Sequence, residues 1–183
     1  MTNFPVHTME SAPEGSKPAL QQLQSAFGII PNIAGAMATS PVLINSLVGL
    51  FGKVHGGSFT EAQIQAVLLT DAVTNAAEWA VAFHSALALK EGLDHADVKA
   101  IRERAVPQDK KIAALSILAQ TLIETRGHIS EKDADAFIAA GFGKDHLLEV
   151  VAIVAASTIT NYTASIVNPP LEAAFHAQVW RAA

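Results

Sequence analysis

The residues best suited to chemistry lie in the segment from Phe59 to Leu93. His84 is the candidate catalytic residue, because an imidazole exchanges protons near neutral pH and can also hold a substrate carboxylate. Ala77 and Ala80 precede it at helical spacing, which places all three on one face of a helix. Gln65 can donate and accept hydrogen bonds but cannot take up a proton. A hydrogen-bonded packing role for His84 is the structural alternative.

The spacing of these four positions resembles a known motif. In the carboxymuconolactone decarboxylase and alkylhydroperoxidase D (AhpD) family, a glutamate is followed twelve positions later by a Cys-x-x-Cys pair and four positions beyond that by a histidine. The matching residues here are Gln65, Ala77, Ala80 and His84. Segments 28–32, 40–41, 139–142 and 160–162 are similar to other parts of the family's sequence, so the resemblance covers most of the chain.

The resemblance implies an all-α, AhpD-like helical bundle, assembly as a trimer or hexamer, and a pocket near subunit contacts. The chain has no cysteine, whereas the family's peroxidase route needs one thiolate to attack the peroxide and a second thiol to resolve the sulfenic acid. We therefore expect no thiol peroxidase activity. Because three of the four motif positions differ, natural divergence is favoured over engineered inactivation. If the alignment with the family motif is shifted by one helical turn, Glu61, and not Gln65, takes the place of the family's glutamate.

Other residues near the motif and in a later helix have two interpretations each. Glu78 follows Asn75 by three positions and fits the reciprocal half of a helix cap, although it could also orient a partner subunit. Trp79 and Phe83 either pack in the core or form the wall of a pocket for an aromatic or acyl ligand. Asn161 either fixes the register between helices or contacts a ligand. The structural interpretation is favoured in each case.

Composition excludes several classes of function. The chain has 183 residues, of which 50% are hydrophobic and 16% charged, with a net charge of -5. Its basic residues are scattered, so nucleic-acid binding is not expected. No pair of histidines has metal-ligand spacing, so no metal is expected. No other cofactor is expected either. The low charge content favours a homo-oligomer. The expected partner is a small-molecule ligand or substrate.

Residues that cap or end helices predict a tail over residues 1–15 and one all-α domain over residues 16–183. The first eighteen residues lack the features of a targeting signal, which predicts a cytoplasmic protein. The apolar stretch from Leu147 to Val167 contains Glu149 and Asn161, so we interpret it as a buried helix and not as a membrane span. Helices are predicted from near 16 to 27 and over about 41–55, 60–73, 76–91, 94–103, 109–126, 130–141, 144–167 and 170–180.

Two functions remain open at this level. The first is a cofactor-free lyase or proton-transfer enzyme that acts on a small carboxylated or aromatic-derived substrate, with His84 as the proton donor. The second is a non-catalytic, homo-oligomeric protein that binds a small apolar acid. The absence of the Cys-Cys-Glu set favours the second, and whether the protein is an enzyme is left open.

Overall fold

The computed structural model describes residues 4–182, which fold into α-helices joined by short connections, with no β-strand in that range. Nine α-helices and two 3-10 helices are present in the described chain. In order, the α-helices are α1 (Lys17–Phe27), α2 (Asn32–Met37), α3 (Pro41–Val54), α4 (Glu61–Thr74), α5 (Glu78–Lys90), α6 (His95–Arg102), α7 (Lys110–Glu124), α8 (Glu131–Ala139) and α9 (Lys144–Val167); the 3-10 helices are Glu14–Ser16 and Ala173–Gln178. The predicted all-α fold is confirmed.

Capping residues fix most of the helix boundaries where the sequence predicts them. The Ser40 hydroxyl accepts the Leu43 amide at the start of α3, and Thr60 forms a reciprocal capping box with Gln63 at the start of α4. Gly28 ends α1 with a φ of 77°, in the left-handed region that glycine adopts without a steric cost. Asp94, Asp109 and Ser130 cap α6, α7 and α8.

Two segments differ from the prediction. The stretch between the helices predicted over 16–27 and 41–55 contains α2, a six-residue helix that is too short to show a periodic pattern and is almost wholly buried. The helix predicted over 170–180 is instead extended around a short 3-10 helix, Ala173–Gln178, which has no buried residue. Here the backbone carbonyls of Gln178 and Val179 accept hydrogen bonds from the Arg102 guanidinium and not from helical amides.

Helix α4 forms the centre of the bundle and packs against α5, α6, α7 and α9. Every residue from Ile64 to Val73 is buried, so α4 is enclosed on all sides and shows no amphipathic face. Leu68 and Leu69 are fully inaccessible and lie in two adjoining core clusters. The candidate site residues on α4 and α5 are therefore held by the most tightly enclosed part of the fold.

Helix α9 has one buried and one exposed side. It is long and apolar enough to cross a bilayer by length and composition alone, but its buried side, which includes Ser157 and Asn161, packs against α3, α4 and α7. A core helix of a helical domain has these properties. The opposite side exposes Leu148, Val151, Tyr162 and Ile166.

Candidate functional site

The junction between α4 and α5 places the two alanines that correspond to the family's cysteines. Ala77 is the N-cap residue of α5 and Ala80 lies in its first turn; both are buried. Ala76 has a φ of 53°, an uncommon conformation for a residue with a Cβ, and it reverses the chain between the two helices. The sequence spacing thus predicted correctly that both alanines lie at the amino end of this helix.

The predicted cap formed by Asn75 and Glu78 is wrong. Helix α5 starts at Glu78, two residues later than predicted, and no side chain caps it. Asn75 instead ends α4, where its side-chain amide donates to the Asp71 carbonyl oxygen. The Glu78 carboxylate pairs with the Arg181 guanidinium at 2.5 Å. This long-range contact replaces the local one because the C-terminal segment returns to the amino end of α5.

His84 and Gln65 form a buried pair across α5 and α4. The His84 Nδ1 atom lies 2.9 Å from the Gln65 Oε1 atom, and each residue is only 4% exposed. Burial, with a smaller contribution from the nearby His55, lowers the pKa of His84 from its ordinary value of 6.5 to about 3. The imidazole is therefore neutral at pH 7. With Nδ1–H donating to the Gln65 oxygen, Nε2 keeps a lone pair and can accept a hydrogen bond.

Glu61 does not substitute for the missing glutamate beside His84. Its carboxylate contacts the His55 Nδ1 atom at 2.8 Å, near the end of α3, and both side chains are partly exposed. His55 also stacks on Phe51 at 5.6 Å between ring centroids. This pair lies toward solvent, and Gln65 remains the hydrogen-bonding partner of His84.

Trp79 and Phe83 form the centre of an aromatic cluster. Their rings stack at 4.8 Å, and Phe83 also has edge-to-face contacts with Phe27 on α1 and Phe175 in the C-terminal 3-10 helix. The Trp79 indole N–H donates to the Glu172 carboxylate at 3.0 Å. These contacts join α5 to both terminal parts of the described chain, as expected of core residues.

A cavity of about 540 Å³ opens at the amino end of α5. One wall is the α4–α5 junction, including Ala77, Glu78 and Trp79; the other is formed by the end of α9 and by the C-terminal segment with Trp180 and Arg181. Its size lies within the range of small-molecule pockets. Ala77, Glu78 and Trp79 are thus brought together, whereas Gln65, Ala80, Phe83 and His84 do not line this cavity.

Asn161 lies in a second buried cluster between α9 and α4. Its side-chain N–H donates to the Ser157 hydroxyl at 3.1 Å, while its carbonyl oxygen has no hydrogen-bonding partner. Both carboxylate oxygens of Asp71 are also buried without a partner of normal geometry, and burial raises the pKa of Asp71 well above its ordinary value.

Sequence reasoning missed Asp71 and Arg181. The signal for Asp71 was a lone carboxylate inside the apolar run of α4. Arg181 gave no local signal, since its approach to Glu78 depends on the path of the C-terminal segment. Within residues 4–182, no three His, Asp or Glu side chains are grouped so that they could hold a metal ion.

The fold identifies a class of protein. The chain has an AhpD-like helical fold, and its nearly complete superposition on solved AhpD-like structures confirms at the level of the fold the resemblance seen in the sequence. No protein-family model matches the chain, and no curated protein matches it in sequence.

Three solved structures illustrate the similarity. An alkylhydroperoxidase AhpD core protein, an uncharacterized peroxidase-related protein from Ralstonia eutropha JMP134, superposes with a TM-score of 0.82 at 17% identity, covering 94% of this chain and 93% of the other. The apo debrominase Bmp8 gives 0.79 at 17% identity over 96% and 94% of the two chains. A cysteine-to-alanine variant of Bmp8 in complex with 2,3,4-tribromopyrrole gives 0.77 at 17% identity over 97% and 95%.

Proposed function

We propose that this protein binds a small carboxylated or aromatic molecule in the cavity at the amino end of α5, without thiol redox chemistry. The cavity itself is the observation that carries the proposal, since it combines two indole walls with one guanidinium and one carboxylate. Aromatic faces together with a few charged groups can fix the orientation of a small ligand. The Bmp8 variant adds support, because it binds a small brominated pyrrole after the loss of a thiol.

The protonation state of His84 favours binding over the lyase alternative. A lyase of the kind considered above needs a proton donor for the carbanion left by decarboxylation. Since the pKa of His84 is about 3, its imidazolium form is scarce at neutral pH. His84 also lies outside the residues that line the cavity. These two observations make the neutral His84–Gln65 pair a structural support of α5 in this proposal.

Arg181 is expected to select for a carboxylate. We predict that benzoate raises the melting temperature of the protein and that Arg181→Met weakens its binding by about tenfold, because a charge-assisted hydrogen bond is lost. Glu78→Gln should tighten benzoate binding, since it frees Arg181 from its present partner at 2.5 Å. Binding of uncharged 2,3,4-tribromopyrrole should change little in either variant. Isothermal titration calorimetry measures the affinities of the wild type and of both variants for each ligand.

Lys132→Met is the matched control, because Lys132 is an exposed cation on α8 and does not line the cavity. Equal benzoate affinities in the Arg181 and Lys132 variants would contradict the proposed site. Release of carbon dioxide from a muconolactone-type carboxylate, abolished by His84→Ala, would instead establish the lyase alternative.

The proposal includes assembly of identical subunits through the exposed side of α9. Leu148, Val151, Tyr162 and Ile166 recur at helical spacing on this side and are between 46% and 69% exposed. The only charged side chain between positions 147 and 167 is Glu149, which is engaged with the Ser58 amide. An exposed row of large uncharged side chains on one helix side is typical of a protein–protein interface. A trimer or hexamer remains the specific expectation from the family resemblance, and the cytoplasm remains the expected location from the first eighteen residues.

A charge on this side should dissociate the oligomer. We predict that Ile166→Glu shifts the protein to a monomer, because assembly would bury an unpaired carboxylate at a cost of several kcal/mol. Val42→Glu is the control: Val42 is 78% exposed but lies on α3. Sedimentation velocity measures the outcome. A monomeric wild type, or equal dissociation by both variants, would contradict the α9 interface.

A further inference from the structure

The buried cluster of Asp71, Ser157 and Asn161 has no role in the fold or the cavity described so far. All three residues have 0% exposure; Asp71 lies on α4, and Ser157 and Asn161 lie on α9, which packs against α4. Two Asp71 oxygens and the Asn161 Oδ1 atom are hydrogen-bond acceptors without a donor. Buried polar atoms of native proteins are nearly always paired, so three such atoms in one cluster call for a missing donor.

A proton on Asp71 supplies that donor. The Ser157 hydroxyl already accepts an N–H from Asn161 and has a single hydrogen left to donate, so acceptors are in excess. A protonated carboxyl group adds one O–H and removes a buried charge at the same time. The Ser157 hydroxyl is close enough to favour the ionised form in part, but burial outweighs it and raises the pKa of Asp71.

No charged neighbour compensates an ionised Asp71. Burial and Ser157 are the only influences on its pKa, and no Coulombic contribution from another group is present. The titratable or charged side chains on the helices packed against α4 are Glu78, His84 and Lys90 on α5; His95, Asp97, Lys99 and Arg102 on α6; Lys110, Lys111 and Glu124 on α7; and Lys144, Asp145, His146, Glu149 and Tyr162 on α9.

The cluster lies next to both walls of the cavity. Asp71 is five residues before Ala76 in the α4–α5 junction, and Asn161 is about one helical turn before Ala164 and Ser165 at the end of α9. We propose that this cluster is a proton-operated clamp: protonated Asp71 holds α4 and α9 together beside the cavity, and its ionisation separates the two walls. The clamp depends only on the folded chain, so it can be tested whether or not a ligand binds.

The clamp predicts a specific pH dependence of folding. A group whose pKa is raised in the folded state contributes stability that is complete below its unfolded pKa and is lost as pH rises through its folded pKa. Asp71→Asn keeps the shape of the side chain and cannot ionise. The ratio of the folding equilibrium constants, wild type over Asp71→Asn, should therefore fall by about tenfold per pH unit above pH 5 until the folded pKa is reached. Urea denaturation at successive pH values measures it.

Three further results decide the proposal. A ratio that is constant or rises with pH would overturn it. If Asp71→Asn does not fold, carbon-13 NMR of the Asp71 carboxyl group in the wild type decides: a protonated group at pH 6 supports the clamp, and an ionised one overturns it. Stabilisation of the wild type, but not of the variant, by sodium, potassium or magnesium at constant ionic strength would show that a cation is the missing partner, and would overturn it as well.

Tryptophan fluorescence tests separately whether ionisation of Asp71 moves the walls of the cavity apart. Trp79 and Trp180 both line the cavity, so separation of its walls should expose them to water and shift their emission to longer wavelength. The shift should follow the ionisation of Asp71 in the wild type and be absent from Asp71→Asn. Ionisation without any change in emission would show that the cluster does not move the walls.

Discussion

Phe83→Ala is expected to lower the free energy of unfolding by about 3 to 5 kcal/mol, the range found for truncation of a buried aromatic side chain. Phe83 is 6% exposed and contacts three phenyl or indole rings, those of Phe27, Trp79 and Phe175. Alanine removes all three contacts and leaves a void in the cluster that joins α5 to α1 and to the C-terminal segment. Denaturant unfolding followed by circular dichroism measures the loss.

Two controls separate packing from a role in ligand binding. Phe27→Ala removes a ring at the edge of the same cluster that is 40% exposed, and should cost less than half as much. Phe83→Leu fills most of the void and should cost less than Phe83→Ala. If Phe83→Ala changed stability by less than about 1 kcal/mol and abolished benzoate binding, Phe83 would be a pocket residue and not the centre of the cluster.

Much of the fold could be predicted from local residue patterns. Ser40 before Pro41, Thr60 with Gln63 and Ser130 with Asp133 satisfy the free amides of the helix that each begins, and such contacts span only three residues. Helix α2 and the C-terminal 3-10 helix could not be predicted in this way. Their conformations depend on distant partners, such as Glu172 with the Asn32 amide and Arg102 with the carbonyls of residues 178 and 179.

The candidate site was predictable only along a single helix. Spacing alone placed Ala77, Ala80 and His84 on α5, and the family motif pointed to Gln65, which the structure brings within hydrogen-bonding distance of His84. Spacing could not show that the cavity lies at the Ala77 end of α5. Its opposite wall comes from residues about ninety to one hundred positions later in the chain. Nor could it show how deeply His84 is buried, which sets the protonation state of the ring.

The second large effect is the loss of folding stability in acid that the buried His84 causes. A group whose pKa is lowered in the folded state contributes stability that is present above its unfolded pKa and is lost as pH falls through its folded pKa. For His84 this window runs from pH 6.5 down to about pH 3. At 1.36 kcal/mol per unit, acidification across it should cost roughly 5 kcal/mol, because the unfolded imidazole binds a proton that the buried one excludes.

A variant without a titrating group at this position isolates the effect. His84→Gln keeps a hydrogen-bonding amide next to Gln65, and wild type should lose stability relative to it between pH 6.5 and pH 4, by up to tenfold in the folding constant per unit. His128→Gln changes an exposed histidine between α7 and α8, and is the matched control. The comparison must be made against variants, since the raised pKa of Asp71 opposes the effect of His84 in the same pH range.

A glutamate at position 65 should reduce the loss of folding stability in acid. Gln65→Glu places a carboxylate beside the His84 Nδ1 atom, 2.9 Å from the present amide oxygen, and an adjacent negative charge favours the imidazolium. The pKa of His84 should then rise toward its ordinary value, and the acid-dependent loss of stability should shrink. Proton NMR of the imidazole measures that pKa directly. A pKa near 6.5 in the wild type would mean that His84 is open to water, and it would return His84 to the position of a proton donor at neutral pH.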